Sequence, residues 1–311
     1  MSAILAQSGS ARSFNEADLR IAEVTGQCSL WWRQVPRMRR HRVGYIGHLA
    51  ASPGRSIEAV LDLACDQLHR QGCTLAIGPI DGSTWRSYRL VTESSPFDPF
   101  LFEPSNPPEW PRQFLHAGFR QIASYFSSLV PDLSRVCRDT KAEEQRLREF
   151  GIRIRPLDRE RFDSDLRIMY RIATEAFADS FLYSSIDWLE FSSLYYPLRA
   201  SVHPELVLIA EMHGAPAGFI FAMPDLLQTR RGAEVDTIII KSLGVLPPYT
   251  GLGLGSILVE EIHRSAGNRG YKRAIHALMH DDNMRSARIS SHYGKVFRRY
   301  GLFARHLDMQ P

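Results

Sequence analysis

The stretch LGVLPPYTGLGLGSILVEEIH, residues 243–263, places three glycines at alternate positions after an apolar run and before a helical pattern. These glycines are Gly251, Gly253 and Gly255. A strand that leads through a glycine loop into a helix is a common anion site, because the first N–H groups of a helix lack internal partners and the helix dipole is positive there. Glycine also lets a ligand approach the backbone without meeting a Cβ atom. The stretch therefore predicts a phosphate-binding turn.

Two familiar phosphate-binding motifs fit this stretch poorly. A dinucleotide-binding fingerprint has the spacing Gly-x-Gly-x-x-Gly early in its domain, and an acidic residue follows about 20 residues later. Here the spacing is Gly-x-Gly-x-Gly, and too little chain follows to build the rest of such a sheet. A P-loop needs a lysine between the glycine and the hydroxyl residue, and none separates Gly255 from Ser256.

The same stretch resembles the signature of the GNAT superfamily of acyl-CoA N-acyltransferases. In that signature, Val-x-Pro is followed by Arg/Gln-x-x-Gly-x-Gly/Ala on the strand, loop and helix that hold the coenzyme A pyrophosphate. Val245, Pro247, Gly253 and Gly255 match, whereas Thr250 stands where the family usually has arginine or glutamine. This exchange weakens the expected pyrophosphate contact and leaves the backbone donors in place.

A second segment, NMRSARISSHYGKVF, resembles the helix that follows in the same family. Asn283 matches the usual asparagine, and Ser286 matches the usual small residue three positions on. The position that often carries a general-acid tyrosine is Ser290 here, and the nearest tyrosine is Tyr293. The likeness in element order extends from about residue 152 to the C-terminus.

The resemblance implies that acetyl-CoA or another acyl-CoA is the co-substrate, and that no metal takes part. The strand DTIIIKSLGVL would diverge from KRAIHALM, and the thioester would lie in the gap between them. Backbone N–H groups of the first strand would hold the pantetheine arm and the oxyanion. The expected cofactor contacts are Leu243, Gly244, Val245, Thr250, Gly251, Leu252, Gly253, Leu254, Gly255, Ser256, Asn283 and Ser286.

Amine acylation favours a general base, since an alkylamine with a pKa near about 10.4 is almost wholly protonated at neutral pH. Asp236, at the start of the predicted strand, is the first candidate, and Glu234 is the second. His276 alternates with apolar neighbours on the next strand and would face the cleft, or would be a hydrogen-bonded structural residue. Ser290 or Tyr293 would protonate the leaving thiolate. In the alternative interpretation, Ser290 bonds the cofactor and Tyr293 packs in the core.

The acceptor is expected among the helices and the hairpin that precede the glycine turn. Tyr183 and Tyr196 indicate an aromatic wall, although aromatic residues at helical spacing are usually core residues. Asp225 would receive a cationic amine, or would be a turn residue after Pro224.

The 311 residues are too many for one compact core of typical size, so two domains are expected. The first half resembles a degenerate version of the same fold, because its loop SPGR lacks the paired glycines. We predict the α/β class (α+β mixed sheet), with two GNAT-like domains, each a central mixed, splayed β-sheet flanked by helices. The predicted segments are a tail typical of disorder at 1–20, a degenerate GNAT-like domain at 21–130, a connecting helix at 131–150 and a catalytic GNAT domain at 151–311.

The composition is that of a soluble globular protein, with 44% hydrophobic and 23% charged residues. Without a signal-like start or an apolar stretch of membrane-spanning length, it predicts a cytoplasmic protein that does not enter a membrane. The four cysteines show no Cys-x-x-Cys pairing, which argues against a disulfide framework or a zinc ribbon. The net charge is +4, and basic runs at 33–42 and 285–299 would attract phosphates or form solvated faces.

Three functions are consistent with these features. The first is acyl transfer from an acyl-CoA to the amine of a small molecule. The second keeps the fold but takes the acyl or aminoacyl group from a carrier protein or an aminoacyl-tRNA, for which Thr250 and the basic runs leave room. The third is a non-catalytic module that binds coenzyme A or regulates a partner. The sequence leaves the oligomeric state open.

Overall fold

The computed structural model describes residues 4–6, 17–21, 26–38, 40–52, 56–93, 95–135 and 139–307. The strands are β1 (Ile4–Ala6), β2 (Ala17–Ile21), β3 (Gly26–Trp31), β4 (Val43–Ala51), β5 (Leu75–Gly78), β6 (Leu90–Glu93), β7 (Arg120–Val130), β8 (Ile152–Pro156), β9 (Val207–Met212), β10 (Ala215–Pro224), β11 (Thr237–Val245), β12 (Arg273–His280) and β13 (Lys295–His306). The helices are α1 (Glu58–Arg70), α2 (Trp110–His116), α3 (Lys141–Glu149), α4 (Phe162–Ala176), α5 (Trp188–Tyr195), α6 (Leu227–Arg230), α7 (Leu254–Asn268) and α8 (Met284–Tyr293).

All these strands belong to one continuous mixed sheet. Their order is β1-β2-β3-β4-β5-β13-β7-β12-β11-β10-β9-β8, and β6 pairs with β13. The pairs β4/β5 and β11/β12 are parallel, and each is joined by a crossover helix, α1 or α7. The other pairs are antiparallel. The same strand-helix-strand unit thus occurs once in each half of the chain.

The two halves exchange their long last strands. β7 comes from the first half and pairs with β12 of the second, while β13 comes from the second half and pairs with β5 of the first. β7 and β13 pair with each other at the centre, from Lys295 opposite Leu129 to Ala304 opposite Arg120. A Cβ atom at Gly294 would lie 2.5 Å from the carbonyl oxygen of Leu129, so the chain enters β13 through a position where only glycine fits.

Apolar positions at helical spacing fix the helices that cover the second half. α7 packs on β10 and β11 with Leu258 and Ile262 in its buried stripe. α4 packs on the same two strands, with Leu166 and Met169 in a separate apolar cluster on the other face. β11 is apolar on both faces, as expected for a strand covered on both sides.

The predicted fold class is confirmed, in that the sheet is mixed and splayed and is flanked by helices. The two halves share one sheet, however, and do not form two separate sheets. β6 and β7 were not predicted. Among the described residues of the predicted connecting helix at 131–150, the α-helical part is α3, and a single 3-10 turn at Leu133–Arg135 precedes it. In the predicted tail at 1–20, residues 4–6 and 17–20 lie in strands, and the other residues lie outside those described.

Cys28, Cys65 and Cys73 are buried, as expected for small core side chains. Cys137 lies outside the described residues. Among the helices described, none combines the length and the apolar composition needed to cross a bilayer. Within the same residues, no group of three or more His, Cys, Asp or Glu side chains is placed to hold a metal ion.

The strand exchange predicts that the second half does not fold alone. A fragment of residues 139–311 would lose the pairing of β12 and β13 with β7, and would expose sheet edges that favour aggregation. We expect this fragment to be insoluble when expressed alone. Co-expression with residues 1–135 should restore a one-to-one soluble complex, measured by size-exclusion chromatography with mass determination. A monomeric 139–311 fragment with a cooperative unfolding transition would contradict the exchange.

Candidate functional site

The sheet opens between β11 and β12. These strands pair in parallel only from Thr237 opposite Arg273 to Ile240 opposite His276. Residues 241–245 of β11 continue alongside β10, while the end of β12 follows β7. Each strand has a register shift on its outer side at this point, a feature of local bends. The predicted divergence of the two strands is therefore observed.

The inner edge of the gap offers backbone groups that the sheet does not use. In an antiparallel pair, only alternate residues direct their N–H and C=O groups at the partner strand. The other residues of 241–245 therefore direct theirs into the gap, where β12 no longer pairs. An extended ligand arm can bind there as an added strand, and an N–H group can stabilise a negative oxygen. Leu243, Gly244 and Val245, which were predicted to contact the cofactor, form this edge.

The glycine turn lies directly beyond this edge. Gly251 and Gly253 have φ angles of +86° and +84°, which glycine adopts without the steric cost paid by other residues. Gly253 is the N-cap of α7, and no side chain caps the helix. A Cβ atom at Gly255 would lie 3.7 Å from both Ile289 Cδ1 and Leu243 Cδ2, so this glycine keeps open a crevice between β11 and α8. Because these three glycines have no side chains, backbone N–H groups of the turn are accessible beside the gap.

The side chains of the turn are hydrogen-bonded to the protein or packed against its core. Thr250 Oγ1 donates a hydrogen bond of 2.8 Å to Pro247 O, and Leu254 is buried in the core. Leu252 packs partly on the core, and its carbonyl oxygen accepts a hydrogen bond of 3.3 Å from Arg146 Nη2. Ser256 is half-buried in the first turn of α7. The anion-binding capacity of the turn lies mainly in its main chain.

Arg146 is a cation at this turn that the sequence analysis missed. It extends from α3, which is held on α7 by Arg264: Nη2 donates to Thr140 Oγ1 at 2.8 Å and lies 3.2 Å from Glu144 Oε1. Leu147 anchors the other side of α3 in the core. The charged, helical composition of 131–150 was the only signal, and it gave no indication of what the helix would pack against.

Asn283 and Ser286 begin α8, which flanks the gap. Asn283 Oδ1 accepts a hydrogen bond of 3.1 Å from the Ser286 N–H group, so the asparagine is the N-cap of the helix. This local role is sufficient to explain both residue types. Contact with a cofactor stays a prediction for them.

His276 and Tyr293 belong to a buried polar cluster under α7. His276 Nε2 lies 3.0 Å from His263 Nε2, and Tyr293 Oη donates a hydrogen bond of 2.8 Å to Glu260 Oε2. Glu260 and His263 are fully buried, and His276 is 4% exposed. Burial lowers the pKa of His263 to about 2, with a further contribution from His276, and lowers the pKa of His276 to about 4. This geometry favours the structural alternative for both predicted residues.

Ser290 also lies away from solvent. It is 1% exposed, and its hydroxyl is hydrogen-bonded to the Ser128 hydroxyl on β7. The bond joins α8 to the exchanged strand. A role in protonating the thiolate would require this contact to break.

Asp236 is held at the opposite end of β11 from the glycine turn. Its Oδ1 accepts hydrogen bonds from Arg273 at 2.6 Å, and from Gln228 and Thr237 at 2.8 Å each. Partial burial raises the pKa of Asp236, but these bonds, led by the one from Arg273, outweigh burial and bring the pKa to about 2. At about 3.3 Å per strand residue, Asp236 lies roughly 15 Å from the gap. Glu234 is 86% exposed. Neither position favours the predicted base.

The predicted acceptor contacts are dispersed. Asp225 is buried, and its Oδ1 accepts hydrogen bonds from the N–H groups of Leu101 at 3.0 Å and Leu227 at 3.2 Å, which supports the turn-residue alternative. Tyr183 donates a hydrogen bond of 3.1 Å to Thr174 O. Tyr196 is 41% exposed on the protein surface. The structure does not bring these three side chains together at the gap.

Lys241 is the second cation that the sequence analysis missed. It is the first residue of β11 beyond the pairing with β12, at the register shift with β10. Its Nζ lies 5.4 Å from the ring centroids of both Phe102 and Tyr195. The available signal was a single lysine inside the apolar run DTIIIKSLGVL.

Comparison with known proteins identifies the fold of this region. Residues 166–290, from α4 to α8, match the acetyltransferase (GNAT) family. A GCN5-related N-acetyltransferase from Sphaerobacter thermophilus has a TM-score of 0.52 and 14% identity, over 95% of this chain and 79% of that one. A tandem GNAT protein from the clavulanic acid biosynthesis pathway has the same TM-score and identity, over 95% of this chain and 84% of that one. Both likenesses concern the fold.

A curated relative gives a weaker likeness in sequence. The bacterial ceramide synthase of Caulobacter vibrioides is 22% identical over 184 residues, which are 59% of this chain. The matched region is 48% of that protein, so the chain spans about half the length of the curated relative it matches.

The buried histidine pair predicts a loss of stability in mild acid. Both folded-state pKa values lie below the ordinary value of about 6.5, so at a pH below that value the unfolded chain binds protons that the folded chain does not. The pair's contribution is complete above about pH 6.5 and is lost as the pH falls towards 4, by up to about 1.4 kcal/mol per pH unit for each histidine. Urea unfolding at several pH values measures this slope.

Matched variants distinguish the contribution of the histidine pair to this slope from the contributions of other titrating groups. His276→Gln should flatten the slope between about pH 6.5 and 4.5, while His116→Gln, at a histidine whose side chain is 55% exposed, should leave it unchanged. Equal slopes in the wild type and His276→Gln would show that the pair is not buried in the neutral form.

Proposed function

We propose that this chain, which carries a GNAT acetyltransferase domain at residues 166–290, is an N-acyltransferase that moves an acetyl or other acyl group from acyl-CoA to an amine in a ternary complex. The observation that carries the proposal is the opening of β11 from β12 directly beside the glycine turn. A long, thin donor with a diphosphate at one end fits these two features together.

The donor's diphosphate would lie on the amides of the turn. A hydrogen bond from an N–H group to a charged oxygen contributes about 1.5–3 kcal/mol, so three or four of them account for micromolar affinity. Arg146 adds a positive charge at the rim of the turn, through its contact with Leu252 O. The pantetheine arm would then run along residues 243–245 and place the thioester in the gap.

The reaction needs little side-chain chemistry. The amine lone pair attacks the thioester carbonyl carbon, and the carbonyl oxygen becomes negative while a backbone N–H group of β11 donates to it. The C–S bond then breaks, the thiolate of coenzyme A leaves, and the new amide nitrogen loses its proton. Thiolate is a fair leaving group, so its protonation by Ser290 or Tyr293 is not required.

Deprotonation of the amine is the demanding step. Converting an alkylammonium ion to the free amine at pH 7 costs about 4–5 kcal/mol of free energy. Asp236 is hydrogen-bonded to Arg273, Glu234 is exposed, and His276 is buried against His263. We therefore propose that water carries the proton to bulk solvent, and keep Asp236 as the first side-chain candidate.

Two further substrate classes have specific support. The name of the Caulobacter relative, ceramide synthase, supports acyl transfer to an amino lipid. A carrier-protein or aminoacyl-tRNA donor is supported by the first basic run: Arg33, Arg37, Arg40 and Arg42 line a pocket of about 470 Å³ with no acidic residue among its lining. Binding of RNA that weakens steeply with added salt would favour the RNA-borne donor.

The donor site can be tested by filling the crevice at Gly255. Gly255→Phe introduces a side chain between β11 and α8 without backbone strain, since the position lacks a positive φ and its nearest neighbours are 3.7 Å away. We expect acetyl-CoA to raise the unfolding temperature of the wild type, and Gly255→Phe to weaken acetyl-CoA binding at least tenfold by titration calorimetry.

Gly267→Phe is the matched control, because it lies on the same helix with no atom within 4 Å of its Cβ position. This control should bind acetyl-CoA as the wild type does. Equal binding by Gly255→Phe would place the donor elsewhere. Binding of coenzyme A without turnover on any amine would support the non-catalytic alternative.

A further inference from the structure

The mouth of the gap contains a lysine whose charge no described acidic group neutralises. Lys241 is half-buried, and among the described residues its ammonium group makes neither a hydrogen bond nor an ion pair. Its Nζ atom lies 5.4 Å from the ring centroids of both Phe102 and Tyr195. Aromatic rings attract a cation through their quadrupole but carry no negative charge, so the ammonium retains its full charge towards an incoming ligand.

The two rings fix the direction of the lysine. Tyr195 lies on α5, which covers the sheet together with α4, and Phe102 comes from the loop between β6 and α2. Lys241 therefore points to the face of the sheet opposite α7, whose N-terminus carries the donor turn. In a ternary complex this opposite face is the one from which an acceptor can approach the thioester.

The acidic groups near this part of the sheet already have hydrogen-bond or ion-pair partners. Glu103 has a fully buried side chain that pairs with Arg298 at 2.9 Å and accepts a hydrogen bond from Tyr300. Asp225 accepts from two backbone N–H groups and lies 3.7 Å from Arg231. Asp236, at the far end of β11, is bonded to Arg273. Each of these carboxylates is already paired with an arginine, whereas the Lys241 ammonium has no acidic partner among the described residues, so the uncompensated charge at the gap is positive.

We propose that the acceptor is an amine that also carries an anionic group, a carboxylate or a phosphate, and that Lys241 binds this group. The pairing of the anion with the ammonium orients the acceptor so that its amine faces the thioester. A purely cationic amine would be repelled at the same place. This inference rests on the proposed acyltransferase function and names the acceptor class of the same site.

Matched amines test the inference. Phenylalanine and phenethylamine differ only in a carboxylate, and phosphoethanolamine and ethanolamine differ only in a phosphate. Sphinganine represents an amino lipid without an anion. Acetyl-CoA is the donor, and release of the coenzyme A thiol is the readout. We expect the wild type to have a kcat/KM at least tenfold higher for one of the two anionic amines than for the matching amine that lacks the anion.

Variants of Lys241 assign the effect to one charge. Lys241→Met removes the charge and keeps an unbranched side chain of similar length, and should raise KM for the anionic amine about tenfold with little effect on kcat and none on the partner amine. Lys241→Arg should retain the preference. Lys272→Met, at a lysine whose side chain is 68% exposed near the end of β11 away from the gap, is the control and should behave as the wild type. Unfolding temperatures verify that each variant is folded.

Acceptor binding is also followed by saturation-transfer NMR, with and without coenzyme A, so that this inference and the proposed function can fail separately. Coenzyme A that does not bind refutes the proposed function. Coenzyme A that binds while no anionic amine does overturns the inference. A wild-type preference for sphinganine, or for the amines that lack the anion, overturns it as well. So does a Lys241→Met variant whose kcat/KM falls equally for both amines of a pair.

Discussion

The end of the pairing between β11 and β12 is the constraint on which the candidate site depends. Parallel strands that separate lose ladder hydrogen bonds, and an unpaired backbone group in a buried place costs about 1–3 kcal/mol. The chain limits this cost by keeping each strand paired on its outer side, β11 with β10 and β12 with β7. Only the inner edges are left unpaired, and these face the gap. A ligand with amide groups along its length can restore the missing bonds.

One wall of this gap is built by the other half of the chain. β12 is supported by β7, and the Ser128 hydroxyl of β7 bonds to Ser290 on the helix that flanks the gap. Phe102, from the loop after β6, reaches Lys241 on the face of the sheet opposite α7. The first half lacks the paired glycines in its own loop, but its strands and loop shape the site of the second half. A degenerate donor site in the first half is therefore compatible with a functional need for its fold.

Local features of the site were predictable from sequence because they depend on neighbouring residues. The glycine spacing, the apolar run before it and the helical pattern after it placed β11, the turn and α7 correctly. The strand β7 was missed because its sequence RQIASYFSSLV breaks the alternation of apolar and polar residues. Ser127 and Ser128 are both buried there, since the Ser127 hydroxyl bonds to Tyr300 on β13 and the Ser128 hydroxyl bonds to Ser290 on α8. Such partners come from distant parts of the chain and leave no local pattern.

The direction in which a side chain points was the least predictable property, and it decides the chemistry. Asp236, Asp225 and His276 all have residue types suited to an amine acylation site. Each is hydrogen-bonded to a neighbour in the fold. Asp236 bonds to Arg273, Asp225 to the Leu101 and Leu227 amides, and His276 to His263. A buried polar group must be paired, so a fold with many such pairs leaves few free acids. What remains available at the gap is main-chain amide on one face and the Lys241 ammonium on the other. Both can stabilise negative charge, which supports the proposal that donor and acceptor are recognised through their anionic groups while the amine itself stays free to react.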